Sequence, residues 1–419
     1  MIARLLLLTV SLLPLTCEAS TAQVLRMFAA DNADSAVLDL LETADLATDA
    51  GLSELARALL RRARATGDAS RYTVVLGLAD AVQSTELAAL LEAEALLGLH
   101  RFAEAQERLV QLGGSHRRDL LLGDALMEQG HHDRAARAYA AAQGARPGAL
   151  AYGRLAALAF RRGEPEIAIA GNQRALRATH PQDTHLRSWL LTEASRYALA
   201  AAAPETAVAL ASAAVREAAT IGARQQQAIS LLAVDDATAA LESLQQLAAD
   251  YPSPEVLRAL REALERQGHC DAARRVIRQI EALGDRIDPR GYARWLADAG
   301  EQPERALALV ATELASRRDP ETLGLAARLR LQQGEPERAM ALLQEALSKG
   351  RPAAAVALVA ADAHAGTALE QIFLKQAHAR RWELPTTARR ALEERLRAHG
   401  PPSSTGVDRS PIVGHPPTT

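Results

Sequence analysis

Aromatic side chains make up only 3% of the 419 residues, while hydrophobic residues as a whole reach 48%. A core with so few rings has to be assembled from alanine and leucine, which are strong helix formers and let helices approach closely. Alternating runs of Val, Ile, Thr and aromatics are nearly missing, which excludes a sandwich or barrel. An excess of charge of one sign is missing too: 48 basic residues face 51 acidic ones, for a net charge of -3. That balance excludes nucleic-acid binding as the main task. Lysine stands only at Lys349 and Lys375, so nearly all the positive charge is arginine.

Cysteine is confined to Cys17 and Cys270, so no disulfide framework is expected, and Cys270 reads as a buried thiol. No apolar run reaches the ~20 residues that a membrane-spanning helix needs. Phosphate-cradling glycine loops, a HExxH pair, Cys-x-x-Cys and a Gly-x-Ser-x-Gly elbow are all absent. Nothing therefore points to catalysis or to a cofactor. His131 and His132 are adjacent and diverge at a helix start, which suits turn packing or solvation better than a metal.

What is present begins with a leader-like segment. Arg4 supplies a positive start and Leu5 to Leu15 an apolar run, with small residues around Ala19 and Ala22 where cleavage would fall. The expectation is a signal peptide over residues 1–19, a lead segment over 20–34 and export to the periplasm or medium. Lipidation of Cys17 is the competing reading, although Pro14-Leu15-Thr16 matches such a site poorly.

A repeated phrase dominates the rest. It reads Gly, two residues, an acid, one residue, Ala, at Gly130 to Ala135, Gly163 to Ala168, Gly268 to Ala273 and Gly334 to Ala339. Degenerate copies end at Ala56, Ala105, Ala240 and Ala306, and the longer interval between Ala168 and Ala240 holds one more copy at Ala207. Ala135 to Ala168, Ala240 to Ala273, Ala273 to Ala306 and Ala306 to Ala339 are each one 33-residue step. Such a phase is the mark of a repeat array. Glycine closes one helix in the left-handed region, an acid or proline opens the next, and alanine permits close crossing.

On these residues the chain resembles the tetratricopeptide repeats. The best copy has Leu122-Gly123, Leu126, Gly130, Ala135, Tyr139, Ala142 and Pro147 at the family's positions. The family's first-helix Trp is missing, and Asn172 and Glu313 stand where apolar residues are usual. The resemblance implies an all-α fold, a right-handed α-solenoid of antiparallel helix pairs, over residues 35–350. A helical cap over 351–399 with a polar outer face and a disordered tail over 400–419 complete the expected layout.

The resemblance also implies that the first helix of each pair lines a concave groove. Its inward positions give Arg117, Leu120, Asp124, Met127 and Glu128 in the best copy. The next copy gives Leu150, Gly153, Phe160 and Arg161, and a later one gives Glu255, Arg258, Glu262 and Arg266. Such a wall suits a polypeptide segment of alternating charge. The expected function is a non-catalytic protein-protein interaction scaffold of the bacterial cell envelope, with envelope proteins as partners. The alternative is an accessory periplasmic arm of a machine that exports or assembles a polysaccharide or surface structure.

Overall fold

The computed structural model describes residues 37, 40 and 43–398, apart from 287. Cys17, the leader, the lead segment and the tail lie outside the described residues. Two helices, α1 (Asp49–Thr66) and α2 (Ser70–Ala79), come first. Antiparallel pairs follow: α3 (Thr85–Gly98) with α4 (Phe102–Val110), α5 (His116–Glu128) with α6 (His132–Ala145), and α7 (Ala149–Arg161) with α8 (Pro165–Ala178). Next come α9 (Thr184–Ala200) with α10 (Pro204–Glu217), α11 (Ile221–Ala233) with α12 (Ala237–Asp250), and α13 (Pro254–Arg266) with α14 (Cys270–Leu283). The last pairs are α15 (Pro289–Ala299) with α16 (Pro303–Ser316), α17 (Pro320–Gln332) with α18 (Pro336–Ser348), and α19 (Ala354–Ala363) with α20 (Ala368–Ala379). A short 3₁₀ turn, Arg381–Glu383, leads into α21 (Thr386–Ala398). No strand occurs among the described residues.

The repeated phrase is the turn inside each pair. Five residues before Ala135, Ala168, Ala273 and Ala339 the backbone is left-handed: φ is 77° at Gly130, 76° at Gly163, 74° at Gly268 and 73° at Gly334, whereas before Ala306 it is Gly300 and Gln302 that are left-handed. The following N–H closes back on the carbonyl five residues earlier, as in His131 to Leu126 and Glu335 to Arg330, so orphan carbonyls of the first helix are satisfied. The same geometry is held by His100 at 60°, Ala202 at 58° and Asp235 at 65°, although these residues carry a Cβ. Ala135, Ala168, Ala207, Ala240, Ala306 and Ala339 are fully buried where the second helix crosses the first. The longer interval before Ala240 is taken up by α9, which has 17 residues where its neighbours have 13.

Close crossing is also seen at Gly123. A Cβ built there would lie 2.3 Å from the ring of Tyr139, which explains the small residue after Leu122. First helices stack on the first helices of adjacent pairs and form one wall, while second helices face outward. The wall coils tightly enough that α1 meets α11, and Gly67 lies against the ring of Tyr251.

Cys270 departs from expectation: it is exposed. It opens α14 at the position where His132 opens α6, but no later segment lies across it. The last helix departs as well. It is more than a solvating cap, since Leu392 packs into the core of the final pair and Thr386 and Arg389 are buried too.

Two substitutions separate the turn from the crossing. Ala202→Gly removes a strained left-handed alanine and should stabilise the chain by about 1 kcal/mol. Gly123→Ala, which forces the Tyr139 ring to move, should destabilise it by about 2 kcal/mol. Urea unfolding midpoints read both, and equal shifts of one sign would contradict this assignment.

Candidate functional site

Charged residues of the first helices face the inside of the coil and pair across neighbouring helices. Arg117 on α5 bonds Glu94 on α3 at 2.6 Å, and Arg154 on α7 bonds Asp124 on α5 at 2.8 Å, where Tyr139 also donates to Asp124 at 2.8 Å. Further along, Arg294 bonds Glu255 at 2.8 Å, and Asp298 accepts from both Arg258 and Arg328 at 2.6 and 2.5 Å. The result is a ladder of arginine and carboxylate rungs along the wall. These side chains are deeply surrounded by protein yet keep 20–32% of their own exposure, as at Arg154, Arg161, Glu255 and Arg258, so water reaches the wall.

The ladder does not face an open trough throughout, because later repeats return to it. Arg161 reaches Glu321 at 2.9 Å as well as Glu128 at 3.4 Å, and Arg317 pairs with Glu128 at 3.2 Å while lying over the Phe102 ring. Main chain meets main chain where the Arg351 amide donates to the Arg162 carbonyl at 2.9 Å. Glycine permits that approach from both sides: a Cβ at Gly163 would lie 2.4 Å from the Arg351 oxygen, and one at Gly350 would lie 2.5 Å from the Arg162 oxygen. Lys349 donates to the Gly130 carbonyl at 3.2 Å, and its own carbonyl lies 3.2 Å from Nδ1 of His132. One turn of the coil is thus clasped onto the next.

Each residue expected on the wall can now be placed. Arg117, Asp124, Glu128, Arg161 and Arg258 are on it, and all are engaged by the chain's own rungs. Met127 is half-buried with its Sδ 3.9 Å from the Tyr139 hydroxyl. Phe160 stacks on Tyr197 with centroids 4.8 Å apart, and Arg380 lies over its ring. Glu262 accepts from the Thr386 amide at 3.0 Å, and Arg266 donates to the Leu232 carbonyl, to the Thr386 hydroxyl and to Asp235. Leu120 and Gly153, also read as inward, lie in the core, the latter against Trp189 and Leu190. Asn172 is buried and donates to the Leu190 carbonyl at 2.7 Å. Sequence reading missed the rungs, although their signal was there: Asp124 and Arg154, and Asp298 and Arg328, stand 30 residues apart, close to one repeat. Among the described residues no cluster of His, Cys, Asp and Glu could hold a metal ion, and no helix is long and apolar enough to cross a membrane.

Neither a family model nor a curated protein matches the chain. Solved structures of similar fold include a Rap protein complexed with competence and sporulation factor, at 13% identity over 72% of this chain and 97% of that one, with a TM-score of 0.47. PilF of Pseudomonas aeruginosa is similar at 16% identity over 66% of this chain and 99% of its own, with a TM-score of 0.35. A tetratricopeptide repeat protein from Parabacteroides merdae is similar at 13% identity over 67% and 97%, with a TM-score of 0.33. The fold is an α-solenoid of antiparallel helix pairs.

Electrostatics tie the solenoid's clasp to pH. Burial alone would raise the Asp319 carboxyl, but Arg161, Arg290 and two Thr322 bonds outweigh it and hold it at about 2. Its stabilising contribution is complete above the ordinary carboxylate range and is lost as pH falls from about 4 towards 2. Burial foremost, then the nearby cations, lower the His132 pKa against the opposing bond to Lys349. An unfolded histidine titrates near 6.5, so His132 favours the folded chain above that pH and opposes it progressively below.

Thermal unfolding should therefore lose stability in two acid steps. His132→Gln should shrink the one beginning below about pH 6.5, which His100 shares, and Asp319→Asn should shrink the one below about pH 4, which Glu94 and Glu255 share. A profile unchanged by either variant would contradict the assignment. Gly350→Ala should weaken the clasp by about 2 kcal/mol through its backbone conformation alone. It should raise the radius of gyration in X-ray scattering without loss of helical circular dichroism, whereas an unchanged radius would mean that the Arg162–Arg351 contact does not hold the coil closed.

Proposed function

We infer that the chain is a non-catalytic scaffold that captures a polypeptide segment of a partner against the inner wall, and that it works in the bacterial envelope after export. The observation that carries the first part is the water-reached ladder, in which arginine and carboxylate rungs alternate beside Met127 on the first helices. A bound segment of alternating charge exchanges one hydrogen-bonding partner for another on such a wall, so no charge is left stranded. Electrostatic alternation fixes register and specificity more than affinity. Apolar contacts such as Met127 then supply the burial that retains the segment. The envelope assignment rests on the leader-like start, Arg4 followed by Leu5 to Leu15.

A photo-crosslinking amino acid placed at Met127 or Arg258, and separately at the outward Ile167, which is 60% exposed, tests both parts in intact cells. The expected result is one reproducible envelope protein joined to the two inner positions and not to the outer one, on a chain that begins at Ser20 or Gln23. Crosslinks from Ile167 alone would move binding to the convex face. Recovery of Met1 with cytosolic partners would overturn the envelope assignment.

A further inference from the structure

The wall between Leu232 and Arg266 is occupied by the chain's own C-terminal segment, and that occupant is built like a ligand. Trp382 packs, half-buried, into the apolar hollow around Ala198, Leu199, Ala207 and Ala233. Its ring lies between two guanidinium groups, with Arg381 at 5.2 Å and Arg389 at 4.4 Å from the centroid. Four residues later α21 begins, and its Thr386 amide, one of the N–H groups that a helix start leaves unpaired, donates to Glu262 at 3.0 Å. The Thr386 hydroxyl accepts from Arg266 at 3.3 Å. Arg389, itself buried, donates to the Ala233 carbonyl at 3.0 Å and lies 3.8 Å from Asp235.

These contacts join successive turns of the coil, as the Arg162–Arg351 clasp does, and not neighbouring repeats. A solenoid repeat normally touches only its neighbours, and here a segment meets helices 120 and more residues earlier. The apolar stripe of α21, Leu392 with Ala388 and Leu396, packs on α19 and α20, and Arg389 borders it. The face it covers carries Asp235 and Glu262 on either side of Arg266 and is apolar at the hollow, which leaves one carboxylate in excess for a helix start and an arginine and apolar surface for an aromatic side chain.

We propose that the α9–α13 wall is a docking site for a partner's helix N-terminus that carries an aromatic residue, a Ser or Thr four positions later, and an arginine three positions after that. The Trp382–Thr386–Arg389 segment holds this site in cis, so a partner binds by displacing it. This deepens the reading of the chain as a segment-binding scaffold and names the chemistry of the segment. Occupancy in cis lowers the apparent affinity of an outside ligand by the fraction of molecules in which the segment is released.

A fluorescent peptide spanning residues 380–398, added to the full chain, tests the proposal by anisotropy. Binding should be at least tenfold tighter to the Trp382→Ala, Arg389→Ala chain than to the natural one. It should be lost when Asp235→Asn and Glu262→Gln are added, and lost again when the peptide carries Trp382→Ala. A milder chain variant, Thr386→Ala, should give an intermediate gain and serves if the double variant loses helicity. Equal binding to the natural and released chains, no binding to a folded released chain, or binding indifferent to Asp235 and Glu262 would each overturn the proposal. The test uses no cellular partner, so its outcome is independent of the envelope crosslinking.

Discussion

A left-handed residue in the turn of each repeat, in most of them five positions before a buried alanine, is the constraint on which the remaining architecture depends. It sets where each first helix stops and how the second crosses it, and the crossing is tight because an alanine methyl is all that separates the two backbones. Where glycine supplies this conformation there is no strain, and at His100, Ala202 and Asp235 the surrounding helices hold a residue that resists it. The strain is tolerated because each turn also closes the hydrogen bond from the next amide to the carbonyl five residues back.

Repeating one crossing many times produces a coil, and the coil has consequences that no single repeat contains. It brings Arg351 to Arg162 and Arg317 to Glu128, so the inner wall is in part a packed interface between successive turns. Charges are tolerated there because every rung joins an arginine to a carboxylate and water still reaches the pair. A removed partner would strand the other charge, which typically costs more than the pair contributes. The wall is thus set in register by its own charges, and a ligand has to match or displace them.

Much of the fold was legible in the sequence, and the reasons are local. Gly130, Gly163, Gly268 and Gly334 mark their turns by composition, and the buried alanines reveal the phase even where Ala202 or Asp235 replaces glycine. Of the candidate wall residues, Arg117, Asp124, Glu128, Arg161 and Arg258 are held in pairs by other residues of the chain. Their partners were half legible, because an acid and an arginine one repeat apart can be read once the period is known. The clasp was not legible. His132 and Cys270 hold equivalent places in two repeats, yet one is buried under Lys349 and the other exposed, because that difference depends on the pitch of the coil over roughly 200 residues. The role of Trp382 was hidden for the same reason: the hollow it enters belongs to helices α9 to α11.

Hydrogen exchange resolved to single amides tests the closed coil most directly, at the Arg351 amide that donates to the Arg162 carbonyl. Arg351 lies in the connection between α18 and α19, outside any helix, so nothing local protects it. The closed solenoid predicts slow exchange there, comparable to the amides of the helices it joins. Exchange at the rate of an unstructured peptide, with α18 and α19 themselves protected, would contradict closure and return the inner wall to an open groove.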